Sequence, residues 1–174
     1  MPTFEQRLTG GHPNSLGATV EIVEEVLADR SRLQEMFECY WSEDETVRLR
    51  VSNAMKRIAA AEHDWLLPYL DRLLKDVSLI DQPSAQWTLS QLFLTYTRDL
   101  DDRQRAKATE IMRRNLTEST DWIVLTQTMN TLTRWATKDN SIGKWLRPRL
   151  EELSQDERKS VRGRAVKMIA LLSR

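Results

Sequence analysis

The stretch WLLPYLDRL, from Trp65 to Leu73, returns eighty residues later as WLRPRLEEL, from Trp145 to Leu153. Trp, Leu, Pro, Leu and Leu recur at five matched positions, and Asp71 is answered by Glu151. Chance supplies two or three matches over nine positions, whereas five that include Trp and Pro mark the duplication of a structural unit. A second pattern lies outside the two copies, ahead of the first and after the second. Val47-Arg48, Val51, Ala54, Met55 and Ile58 are matched by Val161-Arg162, Ala165, Met168, Ile169 and Leu172, an offset of 114. One third of that offset is a period of 38. Shifts of 38 and 77 land on Ala85, Leu89, Leu92, Phe93 and Tyr96, then on Val124, Thr128, Thr131, Leu132 and Trp135. The internal spacings of 4, 3, 1 and 3 trace one stripe of an α-helix.

Working outward, the pattern predicts helices over 14–28, 31–41, 44–61, 64–78, 82–97, 101–116, 120–137, 141–154 and 157–173, with short connections. Ser42 with Glu45 and Ser154 with Glu157 have the form of capping boxes ahead of their stripes, and Asp81 and Ser119 or Thr120 offer caps for the other two. Five Gly and five Pro in 174 residues leave little for hairpin turns, and no low-complexity tract or linker appears. The expectation is one all-α domain over residues 1–174, with repeats near 14–41, 42–79, 80–117 and 118–155 and a terminal helix.

Asp44 with Val47-Arg48, Val51 and Ala54-Met55, repeated as Val161-Arg162, Ala165 and Met168-Ile169, resembles the first helix of a HEAT repeat, and the Trp-Leu-x-Pro-x-Leu segments resemble its second helix. The resemblance spans about Ser42 to Ser173. It is uneven, because the repeat arginine is replaced by Gln86 in one unit and by Leu125 in another. The whole chain also resembles small bacterial HEAT-like proteins, a group that implies no activity. The family implies a right-handed α-α superhelix, a HEAT-like solenoid of about four helix pairs plus a C-terminal capping helix.

Lys plus Arg equal Asp plus Glu at 26 each, so total charge announces neither nucleic acid nor membrane. Its distribution is polar. Met1–Glu45 holds three basic against ten acidic residues, and Lys144–Arg174 nine against four. Cys39 is the only cysteine, which removes an intrachain disulfide and points to a reducing, cytoplasmic setting. No apolar run approaches a membrane span, and MPTFEQRLTG lacks a secretory pattern.

Chemistry has little foothold. His12 and His63 have no ligand spacing around them, Cys39 shares an apolar face with Met36 and Tyr40, and of the carboxylate clusters Glu24-Glu25, Glu43-Asp44-Glu45 and Asp101-Asp102 two open a predicted helix and read as capping charges. No phosphate-binding glycine loop, nucleophile elbow or zincin motif occurs. No catalytic residue, metal or cofactor is expected. Thr9–Gly17, TGGHPNSLG, reads as a helix-start turn capped by Asn14 or Ser15 rather than a flexible arm or binding loop. Trp65, Trp135 and Trp145 read as packing residues; Trp41, Trp87 and Trp122 are undetermined, with Trp87 the one expected nearest the surface.

These readings favour a protein-interaction scaffold. Second helices line the concave side in HEAT proteins, so the resemblance nominates Arg72, Lys75, Arg113, Arg114, Lys144 and Arg149 for contact with a protein partner. Arg158, Lys159 and Arg162 are candidates for phosphate. The alternative is a nucleic-acid-binding protein of the DNA alkylation-repair glycosylase type, a HEAT-like class that uses a basic concave groove; bilin lyases share only the repeat. The acidic start and basic end also suggest head-to-tail self-association.

Overall fold

Ten α-helices joined by short turns build the protein, and the computed structural model describes all of residues 1–174. They are α1 (Phe4–Leu8), α2 (Thr19–Ala28), α3 (Leu33–Glu38), α4 (Glu45–Ala61), α5 (Leu70–Lys75), α6 (Pro83–Thr95), α7 (Asp102–Glu118), α8 (Trp122–Ala136), α9 (Asn140–Leu153) and α10 (Lys159–Leu172). No strand is present, and no helix is long and apolar enough to cross a membrane. The stripes do what their spacing requires. All five positions in α4, all five counted from Ala85 to Tyr96, and all five from Val124 to Trp135 are buried; in α10 Val161, Ala165 and Met168 are buried while Ile169 and Leu172 are half-buried.

Helix starts differ from the capping boxes read in the sequence. Asp44 caps α4, its Oδ1 accepting from the Thr46 amide at 2.8 Å, while the Ser42 hydroxyl accepts from the Asp44 amide at 3.2 Å. A carboxylate two residues nearer the helix outcompetes the serine for the first-turn donors. Ser119 and Asp121 repeat this pair ahead of α8, and Asp156 accepts from the Arg158 amide ahead of α10. Ser154 instead closes α9, its hydroxyl donating back to the Glu151 carbonyl. True capping boxes stand at Thr3/Gln6 and Asp101/Gln104. The first of these starts α1, which the periodicity missed because five residues are too few to show one.

Residues 1–88 and 89–174 form two compact units, the division falling within α6. In the first, α1 is fixed by charge: Glu25 receives Arg7 and Arg32 at 2.6 and 2.7 Å, Glu35 accepts from Arg32 and the Phe4 amide, and the Arg32 guanidinium lies 3.9 Å over the Phe4 ring. Those bonds hold the Glu25 carboxyl below its ordinary range. Arg50, only 2% exposed, faces no carboxylate in this unit. It donates to the carbonyls of Leu8, Gly10 (2.7 Å), His12 (3.3 Å) and Ser15 (3.1 Å). The Thr9–Gly17 run is therefore a wrapping for this guanidinium, and α2 begins only at Thr19, behind Ala18, which has no side-chain cap.

The second unit joins α6 to α8 through hydroxyls. Ser90 Oγ lies 3.0 Å from Thr128 Oγ1, and Thr131 Oγ1 donates to the Ser90 carbonyl at 2.7 Å. Thr133, fully buried on α8, has no partner for its hydroxyl. Exchanging that hydroxyl for a methyl in Thr133→Val relieves an uncompensated desolvation cost, so urea unfolding is expected to show a gain of about 1 kcal/mol. Thr131→Val, which breaks a made bond, is expected to lose about 1 kcal/mol under the same conditions.

Candidate partner-binding face

The duplicated motif gives each unit a candidate site of its own. Leu66, Leu70 and Leu73 are buried, as are Leu146, Leu150 and Leu153, while Pro68 and Pro148 are exposed and Trp65 and Trp145 half-buried. Each of these five positions has one environment in both copies, although the backbone differs, while Asp71 is half-buried and its counterpart Glu151 exposed. The first copy runs through a 3-10 segment, His63–Tyr69, into α5; the second lies in the continuous α9. In each copy a guanidinium from an earlier helical segment stacks on the motif indole. Arg30 lies 5.4 Å from the Trp65 ring centre and Arg113 4.5 Å from that of Trp145. A cation over an indole face holds the ring in place and leaves its own N–H groups directed outward.

A groove adjoins each stack. In the first unit, Arg30, Gln34, Trp65, Tyr69 and Arg72 border a cavity of about 540 Å³. In the second, Arg105, Thr109, Arg113, Asp139 and Ser141 border one of about 480 Å³. Neither a protein-family model nor a curated protein matches the chain.

The nominated residues fall into distinct environments. Arg72 pairs with Glu38 at 2.8 Å and Asp76 at 3.6 Å, and covers the rings of Phe37 and Trp41 at 4.8 and 5.0 Å. Lys75 ends α5 and is exposed. Arg113 is exposed on α7 above Trp145, and Arg114 beside it is half-buried. Lys144 borders a third groove, of about 680 Å³, with Arg147 and Glu151. Arg149 is occupied: its Nε and Nη2 donate to the Leu116 carbonyl near the end of α7 and its Nη1 to Glu152.

Among the phosphate candidates, Arg158 chelates Asp156 and reaches the Thr120 carbonyl, and Arg162 donates to the carbonyls of Asp156 (2.8 Å) and Glu157 (3.1 Å). Lys159 alone of the three is exposed without such bonds. The hydrogen bond from Arg158 holds the Asp156 carboxyl down at about 2. Arg48 occupies the position of Arg162 one hundred and fourteen residues earlier and likewise donates to a carbonyl six residues upstream, that of Ser42. These arginines close helix-start turns.

Arg30 was not singled out by the sequence, and Arg105 only as one of a basic set with Arg103, Lys107, Arg113 and Arg114. Arg30 precedes its Trp by 35 residues and Arg113 by 32, close to one period, and that recurrence of Arg before the motif Trp was the available signal. Trp87 is half-buried, while Trp41 and Trp122 are about half exposed. Cys39 is 5% exposed, donates to the Glu35 carbonyl at 3.3 Å, and has its thiol pushed up to about 12 by burial. His12 accepts from the Asn14 amide through Nδ1. No three His, Cys, Asp or Glu side chains are grouped to hold a metal ion.

Proposed function

We propose that this chain is a helical-repeat interaction protein of HEAT type that binds a protein partner along its second helices, using the grooves beside Trp65 and Trp145 rather than performing a reaction. The observation that carries this reading is the recurrence of a half-buried motif indole covered by arginine: Arg30 and Trp65 both line a groove of about 540 Å³, and Arg113, over Trp145, lines one of about 480 Å³. The Trp65 groove offers ring faces with the guanidinium donors of Arg30 and Arg72 at its edge, whereas the groove beneath Arg113 also carries Asp102, Glu110 and Asp139. That chemistry suits a peptide segment carrying acidic and aromatic side chains.

The test is affinity capture from native cells at moderate salt, comparing the natural chain with Arg30→Glu/Arg113→Glu. A protein recovered by the natural chain and lost from the variant is the expected result. Recovery of nucleic acid instead, released steeply as salt rises, would promote the glycosylase-type alternative. Recovery of the same proteins by both baits would remove the grooves from the reading.

A further inference from the structure

Two helices present outer faces with complementary charge. On α10, Val161, Ala165 and Met168 point into the protein, so the opposite side carries Lys159, Gly163, Val166, Lys167 and Ala170, all exposed. Val166 is 54% exposed, and a Cβ on Gly163 would meet nothing within 4 Å. On α2, Ile22, Val23 and Val26 point inward, and the outer side carries Val20, Glu21, Glu24 and Ala28, with Leu16 just before the helix. Each face is a short apolar strip edged by charge, cationic on α10 and anionic on α2.

The charge asymmetry extends to the units that carry these helices. Residues 1–88 hold nine basic against fifteen acidic side chains, a net −6, and residues 89–174 seventeen against eleven, a net +6. Pairing like units of two copies sets equal charges together; pairing unlike units sets −6 against +6. The chain as a whole is neutral, so copies approach without long-range repulsion.

We propose that the outer face of α10 in one copy docks on the outer face of α2 in a second copy. Lys159 and Lys167 meet Glu21 and Glu24, and the strip of Gly163, Val166 and Ala170 meets Val20 and Ala28. Gly163 lets the two helix axes approach closely, because no side chain stands between them. The contact is heterologous: each copy keeps one unused α2 face and one unused α10 face, so association continues until a ring closes or a chain of copies grows.

Sedimentation velocity on the full chain tests this, at protein concentrations up to roughly 0.2 mM, which reveals any submillimolar Kd. The expected result is association at about 20 mM salt that weakens at least about tenfold at about 0.5 M salt, where the Debye length has fallen to roughly 4 Å. Lys159→Glu/Lys167→Glu and Glu21→Lys/Glu24→Lys should each sediment as monomers at low salt, yet associate when mixed. All four substitutions in one chain should restore self-association. These side chains are exposed, and unchanged far-UV circular dichroism and melting temperature confirm that the variants fold. A natural chain that stays monomeric throughout, or association that survives either pair of reversals unmixed, overturns the proposal.

Discussion

Arg50→Ala is expected to destabilise the protein by about 3–5 kcal/mol in urea unfolding, the scale on which breaking a buried charged network acts. The residue is 2% exposed, and its guanidinium donates to one carbonyl at the end of α1 and three in the loop that follows, so truncation strips four acceptors of their donor at once. Lysine keeps the charge but not the fork. Its three donors leave one point, whereas the carbonyls of Leu8, Gly10, His12 and Ser15 are reached from Nε, Nη1 and Nη2, so Arg50→Lys should still cost about 2 kcal/mol. Gly17 reports on the same contact from the other side. Its φ is +52°, and a Cβ there would stand 2.9 Å from Arg50 Cζ, so Gly17→Ala pays for strain and clash together. Limited proteolysis completes the test: Thr9–Gly17 should resist cleavage in the natural chain and be cut first in Arg50→Ala. An Arg50→Ala protein as stable as the natural one, with that segment still protected, would refute this account.

That loop also shows where the sequence stops being readable. Periodicity located α4 and α6 to α10 to within two residues, because apolar residues recur over several turns and each reports its own burial, while α2 starts five residues later than expected. Arg50 sits among those stripes with nothing local to distinguish it from an exposed arginine. Its partners are backbone carbonyls 35 to 42 residues away, groups that every residue carries and no composition signals. The same holds for Arg149 and Arg158, nominated for their charge and found bonded to the carbonyls of Leu116 and Thr120. Charge is legible; what satisfies it is not. The Trp65 and Trp145 environments were legible because the motif repeats, whereas Arg30 was only weakly signalled, its interval to the motif Trp being 35 residues against 32 for Arg113.

Trp135→Ala is expected to cost about 3–5 kcal/mol, since it removes the largest side chain of a packed stripe. The indole is 2% exposed and is met by two partners of the second unit. From α8 its Nε1 donates to Thr97 Oγ1 at 2.9 Å, just past α6, and the Arg105 guanidinium of α7 lies 4.2 Å over the ring. Arg105 in turn donates to the Thr97 carbonyl at 2.9 Å. Thr97, Arg105 and Trp135 thus close a triangle, so their substitutions should not add. Trp135→Phe keeps a ring beneath Arg105 but strips Thr97 of its donor, a loss of about 1–2 kcal/mol. Arg105→Ala removes the stacked cation and the bond to the Thr97 carbonyl, a loss of similar size. A double-mutant cycle between Arg105→Ala and Trp135→Ala then discriminates between two origins of the effect. Coupling of about 1 kcal/mol marks the triangle as a unit, while strict additivity means that Trp135 acts only by filling volume. The coupling also bears on the neighbouring groove, because Arg105 forms part of its wall and is held there by the indole. If the triangle is a unit, a partner that contacts Arg105 should be lost from Trp135→Phe to a smaller degree than from Trp135→Ala, although neither substitution touches the groove surface directly.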